Sequence, residues 1–323
     1  MRMALRNRRP LTTLIVVFLF VIGAYGVCEV YRHRDCRSDF VGRKGQLTSV
    51  KEVLVEDRST DSLIHVQLED ETGIEVQGYL SIPSSTAGPY PALVIIGGVR
   101  TGKRTLDYIE NTYDLALLAL DYPYQGKDGK LGWWEFLKKV PDMRRAIMNT
   151  VPAVMLSVDY LEGRRDIDRD RIVLIGGSVG ALVAPAIAAS DPRISAVALL
   201  FGAGDLRSLL RANTSMPEPI ASIVSWTGAI LVSPVEPLKY IDRISPRPLF
   251  MLNGTNDARM PPRCSRLLHE KAKPPKTVKW IPTEHVHVSS KEFRDKVRLE
   301  LEAWLVQNNI LSGDFRSEED LSR

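Results

Sequence analysis

Short apolar stretches recur along most of the chain, and their spacing predicts β-strands. Residues 62–69 and 74–82 alternate apolar and polar positions around a Glu-Thr-Gly turn, which predicts a β-hairpin. Later stretches are mostly apolar, and 92–96 is apolar without interruption, as is typical of strands covered on both faces of a parallel sheet. These stretches are 92–96, 115–120, 171–175, 194–201 and 248–253, and a further strand is predicted at 278–281.

Helical patterns lie between these predicted strands. Residues 140–161 carry apolar side chains at helical spacing, 181–189 are mostly small, and 293–306 are amphipathic. Strands that alternate with helices indicate a parallel sheet with helices on both faces. The sequence therefore predicts an α/β fold with a mostly parallel sheet, preceded by one N-terminal hydrophobic segment.

The N-terminal segment has the pattern of an exported or membrane-anchored protein. A basic flank at residues 1–10 contains four arginines, and an uncharged apolar run follows at 11–27. An uncleaved anchor would use the whole run, which is near the lower length limit for a transmembrane helix. A cleaved signal peptide would use the small-x-small sequence at 24–26. We favour the anchor, with the folded domain on the non-cytoplasmic side; a cleaved segment would give a secreted protein.

The remaining chain divides into three predicted parts, the second of which contains a cap. Residues 28–52 are polar and charged, which predicts a linker, and residues 53–311 form the α/β domain. Within that domain, a segment at about 204–247 contains helix-like apolar stretches at 206–212 and 220–232, which we interpret as a cap over a pocket. Residues 312–323 form a polar tail.

Charge and cysteine content exclude several classes of protein. The net charge of +4 is uneven, because residues 1–44 carry +6 and residues 45–323 carry −2. We therefore expect no nucleic-acid surface on the folded part, because binding phosphates needs a concentrated positive patch. The three cysteines (Cys28, Cys36 and Cys264) form no zinc pattern, and we expect neither a metal nor a cofactor. Whether Cys28 and Cys36 pair stays open.

A candidate nucleophile lies in the segment Gly176-Gly177-Ser178-Val179-Gly180. A predicted strand leads into it and a predicted helix follows at once, which is the context of the G-x-S-x-G nucleophile elbow. The turn would lift the Ser178 hydroxyl above the edge of the sheet, and the amide of Val179 would point at a developing oxyanion. A glycine turn of a nucleotide-binding domain is the competing interpretation, but neither G-x-G-x-x-G nor a Walker lysine is present.

A serine nucleophile needs a histidine base that a carboxylate orients. Asp257 follows the predicted strand at 248–253, so we take it as the acid. His285 follows the next predicted strand and is our preferred base, with His287 as the open alternative. His269 lies in a predicted helix at 263–271, and we interpret it as a surface residue.

The second amide of an oxyanion hole should come from the loop after the strand at 92–96. That loop begins Gly97-Gly98, and two glycines permit close approach of the backbone to a ligand. The amide of Val99 is the best candidate for this donor.

These motifs together resemble the α/β-hydrolase superfamily, most closely its dienelactone-hydrolase-like and acyl-esterase branches. The resemblance covers about residues 53–308 and rests on ALVIIGG, ALDYPYQG, DYLEGRRDIDRDRIVLIGGSVGA, YIDRISPRPLFMLNGTNDARMP and WIPTEHV. It implies a mostly parallel sheet, no cofactor and an acyl-enzyme, with Ser178 as nucleophile, Asp257 as acid and His285 as base. Two features depart from the pattern: Gly97-Gly98 replaces the frequent His-Gly, and Glu284 replaces the glycine that often precedes the histidine.

The expected function is that of a serine hydrolase acting on an ester or thioester of a small acyl substrate. The same triad would also serve an acyltransferase or an amide hydrolase, and the fold alone would serve a binding protein without catalysis. We expect the cap to line the pocket and two further tryptophans and a phenylalanine to border it. The expected residues are Met216, Ile223, Trp226 and Ile230 in the cap, and Trp133, Trp134 and Phe136 beside it.

Overall fold

One nine-stranded sheet forms the centre of a computed structural model that describes residues 8–84, 88–98, 101–109, 114–123, 133–286 and 289–312. Its spatial order is β1-β2-β3-β5-β4-β6-β7-β8-β9. The strands from β4 to β9 pair in parallel, whereas β1, β2 and β3 pair antiparallel. The strands are β1 (Leu47–Asp57), β2 (Asp61–Asp70), β3 (Glu75–Pro83), β4 (Tyr90–Ile96), β5 (Ala116–Leu120), β6 (Ile167–Gly177), β7 (Ala196–Leu200), β8 (Leu249–Gly254) and β9 (Lys276–Ile281). The predicted mostly parallel sheet and the predicted hairpin, β2 and β3, are both confirmed.

Helices cover both faces of this sheet, as the uninterrupted apolar strands require. In β4, Ala92 and Val94 face one buried cluster together with residues of α3 and α4, whereas Leu93 and Ile95 face a second cluster with residues of α8. Because successive side chains of a strand point to opposite faces, only a strand buried on both sides needs apolar residues at every position. The helices are α1 (Arg8–His33), α2 (Arg37–Arg43), α3 (Trp133–Gly163), α4 (Val179–Ser190), α5 (Leu206–Ala212), α6 (Ile220–Val232), α7 (Pro262–Lys271) and α8 (Lys291–Gln307).

Residues 28–52, which we expected to be a linker, belong to the ordered fold. This segment contains the end of α1, all of α2 and the first half of β1. The side chain of Phe40 is completely buried, and the Cys36 N–H donates a hydrogen bond to the Tyr240 hydroxyl at 3.1 Å. The charged residues that suggested a linker lie on the exposed sides of a short helix and of an edge strand. The three cysteines are free, so Cys28 and Cys36 do not pair.

The apolar N-terminal segment forms the helix α1. Its window Val16–His33 has a mean hydropathy of 1.4, and none of that window is buried. It is the one helix among the described residues that is long and apolar enough to cross a membrane. Twenty-six residues at 1.5 Å each give a length of ~39 Å, which exceeds the thickness of a bilayer core. The helix is consistent with a signal anchor or a signal peptide.

The end of α1 packs against α6, the second helix of the predicted cap. The rings of Tyr25 and Trp226 stack with centroids 5.4 Å apart, and the indole N–H of Trp226 donates to Glu29 at 2.9 Å. The two predicted cap helices have the expected bounds. Met216 and Ile223, however, are exposed rather than enclosed, since 46% and 61% of their surfaces remain accessible.

Candidate active site

The sharp turn between β6 and α4 holds Ser178. The strand ends at Gly177 and the helix begins at Val179, so one residue makes the whole connection. Ser178 has φ 54° and ψ −112°, a conformation that residues with a side chain rarely adopt. Its N–H donates to the Leu200 carbonyl at 2.8 Å, which fixes the turn to the neighbouring strand β7. Such strain is stored where the surrounding structure enforces it, and it is concentrated at functional sites.

The glycines around Ser178 are required by close packing. A Cβ at Gly180 would lie 1.9 Å from the Ile96 carbonyl oxygen, and a Cβ at Gly176 would lie 2.7 Å from the Gly180 carbonyl oxygen. Both contacts involve backbone atoms, which cannot move aside as a flexible side chain would. The G-x-S-x-G spacing therefore has a steric cause: the helix begins where the end of β4 leaves no room for a side chain.

Three side chains from distant parts of the chain meet at the carboxyl edge of the sheet. The Oγ of Ser178 lies 2.8 Å from Nε2 of His285, and Nδ1 of His285 lies 2.8 Å from Oδ2 of Asp257. Asp257 follows β8 and His285 follows β9, the strand beside it. Because parallel strands end at the same edge, the segments that follow them come together there. The structure thus brings the preferred nucleophile, acid and base into one chain of contacts.

Burial and hydrogen bonding fix the orientation of the acid. The Asp257 side chain is completely inaccessible to solvent and that of His285 is 13% exposed. Oδ1 of Asp257 accepts hydrogen bonds from the N–H groups of Arg259 and Met260, at 2.9 and 2.8 Å. This leaves Oδ2 to accept from Nδ1–H of His285. The opposite ring nitrogen then has a free lone pair directed at the Ser178 hydroxyl, which is the protonation that a general base requires.

The loops that carry the acid and the base also hold each other. The N–H groups of Thr255 and Asn256 donate to the carbonyls of Ile281 and Thr283, at 2.9 and 3.1 Å. The ring of Phe201 contacts the imidazole of His285 edge-on, with centroids 6.0 Å apart. These contacts are independent of any substrate, so the base is positioned in advance. The alternative base His287 lies outside the described residues.

The region in which we expect oxyanion donors is described in part. Val179 supplies one of the first amides of α4, which have no acceptor within the helix. The other predicted donor, the amide of Val99, lies outside the described residues, as do the side chains of Trp133, Trp134 and Phe136. The glycines before it are described, and the Gly98 carbonyl accepts from the N–H groups of Thr101 and Gly102, at 3.0 and 3.2 Å.

Asp121 and Tyr122, the two residues that follow β5, hold this glycine loop in place. The sequence analysis did not single them out. The Tyr122 hydroxyl donates to the Gly97 carbonyl at 2.7 Å, and Oδ1 of Asp121 accepts from the Lys103 N–H at 2.9 Å. Burial raises the pKa of Tyr122, so its hydroxyl keeps its proton and remains a donor. The segment ALDYPYQG contains both residues directly after a predicted strand, but their role follows only from the pairing of β5 with β4, which places the carboxyl ends of these strands side by side.

Tyr122→Phe should lower kcat for ester hydrolysis about tenfold and leave KM nearly unchanged. Losing the hydroxyl frees the Gly97–Gly98 peptide, which directly precedes the predicted oxyanion donor, the amide of Val99. The measurement is steady-state kinetics on a p-nitrophenyl ester. The matched control is Tyr108→Phe, which removes the hydroxyl of a partly exposed tyrosine a few residues after the glycine loop. Equal kinetics for the wild type and Tyr122→Phe would show that the hydrogen bond only stabilises the fold.

His269, which we interpreted as a surface residue, is buried. It is 8% exposed, and its Nε2 lies 2.9 Å from Oδ1 of Asn253, the penultimate residue of β8. The Asn253 amide donates in turn to the Gly202 carbonyl at 2.8 Å and to the Ser265 hydroxyl at 3.1 Å. The interpretation was wrong because α7 presents Leu268 and His269, adjacent residues, to the interior together. This network ties the ends of β7 and β8 together beside the acid loop.

The buried imidazole should make the protein sensitive to mild acid. Burial, together with the nearby charges of Lys276 and Arg266, lowers the pKa of His269 to about 4. The unfolded chain takes up a proton near pH 6.5 whereas the folded chain does not, so the unfolded state is favoured as the pH falls from about 6.5 to about 4. Up to about 3 kcal/mol of stability should be lost over that interval.

Urea unfolding at several pH values across this interval measures the loss. His269→Gln keeps a hydrogen-bonding group without the titration, so its free energy of unfolding should change less with pH than that of the wild type. His33→Gln is the matched control, because the His33 side chain is 70% exposed. A wild-type slope that persists unchanged in His269→Gln would assign the acid sensitivity to other groups.

Comparisons with known proteins place the fold. A scan against protein-family models finds no match, and a search of curated proteins finds none either. Among solved structures, an acetyl xylan esterase from Paenibacillus sp. R4 is similar with a TM-score of 0.63 at 19% identity, covering 83% of this chain and 92% of that one. Acetyl xylan esterase 1 from Thermoanaerobacterium sp. JW/SL YS485 gives 0.60 at 17%, covering 86% and 93%. An esterase from Pyrococcus furiosus gives 0.55 at 18%, covering 80% and 98%. The chain therefore has the α/β-hydrolase fold.

Proposed function

We propose that this protein is a serine hydrolase that cleaves a carboxylic ester or thioester through an acyl-enzyme on Ser178. The observation that carries the proposal is the unbroken series of contacts from Ser178 through His285 to Asp257, at 2.8 Å each, on a strained strand-to-helix turn. A buried carboxylate, an imidazole of fixed tautomer and a hydroxyl in line are what nucleophilic catalysis by serine requires. The fold of esterases supports the same reaction class.

The reaction follows from this arrangement. His285 accepts the proton of Ser178 as the oxygen attacks the acyl carbonyl, and Asp257 stabilises the imidazolium that forms. The N–H groups of Val179 and Val99 are our proposed donors to the oxyanion. When the tetrahedral intermediate collapses, the imidazolium protonates the departing alcohol or thiol. Water then attacks the acyl-enzyme with the same histidine as base, which releases the acid and restores the serine.

An acetyl ester is the first substrate to test, because two of the similar structures are acetyl xylan esterases. The purified full-length chain should hydrolyse p-nitrophenyl acetate much faster than it hydrolyses p-nitroacetanilide. Transfer of the acetyl group to an added thiol or amine, in preference to water, would identify an acyltransferase. Faster cleavage of the anilide would identify an amide hydrolase. A folded protein that cleaves none of these compounds and binds no fluorophosphonate would be a binding protein on a hydrolase fold.

We also propose that α1 is retained as a membrane anchor with the hydrolase domain on the non-cytoplasmic side. The support is an exposed apolar helix preceded by arginines, which favour the cytoplasmic side of a membrane. After expression, the full-length chain should remain with membranes washed at high pH. A protein that is released in soluble form, shortened by the length of the apolar run, would instead contain a cleaved signal peptide.

A further inference from the structure

Helix α6 has an apolar face that nothing in the described structure covers. Ile220, Ile223 and Val224 are 50%, 61% and 36% exposed, and Met216 in the preceding segment is 46% exposed. The spacing of three and four residues puts the three α6 side chains on one side of the helix, and together with Met216 we call them the outer α6 face. The opposite side of α6 is buried against the protein: Ala221, Ser225 and Ala229. Contiguous exposed apolar side chains of this kind mark a surface that binds something.

The position of this face beside α1 indicates what it binds. Trp226, on the same helix, stacks on Tyr25 and donates to Glu29, both in the last turns of α1. The apolar run of α1 ends at Val27, so these contacts lie where that helix would leave a bilayer. Tryptophan and tyrosine are enriched at that depth, because their rings are apolar and their N–H and O–H groups need polar partners. Two aromatic residues thus fix α6 at the expected level of the membrane interface.

The charges beside the outer α6 face suit a phospholipid surface. A groove of about 490 Å³ lies between the end of α1, α5 and the start of α6, and its charged lining residues are Arg32, Asp205, Arg207, Arg211 and Glu218. Arg32 pairs with Glu29 at 2.9 Å and Arg211 with Glu218 at 2.5 Å. Arg207 has no ion pair within the part of the chain that the structure describes. Arg207 is therefore the cation available to a headgroup phosphate beside the apolar side chains that would insert between acyl chains.

We infer that the outer α6 face rests in the interfacial layer of the bilayer that holds α1. The inference rests on the proposed anchor, and the occupant is phospholipid rather than a second protein. The contact bears on the proposed active site because α5 and α6 pack together. The side-chain amide of Asn213, at the end of α5, donates to the Arg259 carbonyl at 2.8 Å, two residues from Asp257. The cap would thus join the membrane surface to the loop of the proposed acid.

Lipid quenching of a fluorophore on the full-length chain tests this inference. The chain is reconstituted in phospholipid vesicles with Cys28 replaced by serine, since the other two cysteines are buried. A nitrobenzoxadiazole label is placed on Ile223→Cys, and nitroxide is carried on the lipid acyl chains. Phe20→Cys, on the exposed surface of α1, reports whether the anchor is inserted. Leu299→Cys on α8, which is 46% exposed, is the matched control away from α1 and α6.

The inference predicts strong quenching at positions 20 and 223 and little at position 299, with activity on a soluble ester retained in all three variants. Quenching at position 20 without quenching at 223 would overturn the lipid contact and leave the anchor intact. The absence of quenching at both positions would reject the anchor together with the contact. Equal quenching at 223 and 299 would also overturn the inference, because it would show that α6 has no preferred position at the membrane.

Discussion

Ser178→Ala should reduce kcat/KM for p-nitrophenyl acetate by about 10⁴-fold or more. Without the hydroxyl, His285 and Asp257 have no nucleophile to activate, and only binding and oxyanion stabilisation remain. Steady-state kinetics on the full-length chain measures the loss. Ser49→Ala, an exposed serine on β1, is the matched control and should retain full activity. Activity above about a tenth of the wild-type value in Ser178→Ala would exclude Ser178 as the nucleophile.

The same position links activity with stability. Ser178 has a positive φ that costs a residue with a side chain on the order of 1 kcal/mol or more. Alanine bears the same strain, so Ser178→Ala should unfold at nearly the same urea concentration as the wild type. Glycine adopts this conformation freely, so Ser178→Gly should be equally inactive yet more stable than Ser178→Ala. If Ser178→Gly were the less stable of the two, the turn would not be under strain.

Asp257→Asn should leave the fold intact and lower kcat by about 10⁴-fold, which is the loss that the equivalent substitution causes in serine proteases. Asparagine can keep the oxygen that accepts from Arg259 and Met260, so the loop stays in place. Its NH₂ group then faces Nδ1 of His285 and donates to it. The imidazole proton moves to Nε2, where it blocks acceptance of the Ser178 proton.

Steady-state kinetics measures the loss of activity in Asp257→Asn, and circular dichroism shows whether the protein is still folded. Asp170→Asn, which replaces an exposed aspartate, is the control. A folded Asp257→Asn protein with more than about a tenth of wild-type kcat would show that another group orients the base. The double variant with Ser178→Ala should be no less active than Ser178→Ala alone, because residues that act as one unit are not additive.

Local patterns predicted the parts of the fold that local chemistry determines. Residues 92–96 and 172–175 are apolar at every position, which only a strand buried on both faces requires, and both lie in strands of the sheet. The elbow could also be predicted, because its G-x-S-x-G spacing is local in sequence and Gly176 excludes a Cβ that would meet the nearby Gly180 carbonyl. The candidate acid followed from the rule that parallel strands end at one edge.

Features that depend on contacts between distant segments could not be predicted from the sequence. Tyr122 has its role only because β5 pairs beside β4, and His269 is buried only because the end of β8 supplies Asn253 as its partner. The supposed linker failed for the same reason, since Phe40 is buried by residues far away in the chain. The composition of a polar, charged stretch with one large apolar residue is the same whether that residue is buried against the domain or exposed to solvent.

The site of fluorophosphonate attachment tests the central claim most directly. The folded full-length chain is incubated with the probe, digested, and the modified residue is identified by mass spectrometry. The account predicts a single adduct on Ser178, and no adduct when His285 is replaced by alanine, because the hydroxyl then has no base. An unmodified Ser178 in a folded protein, or an adduct that forms equally well without His285, would contradict it.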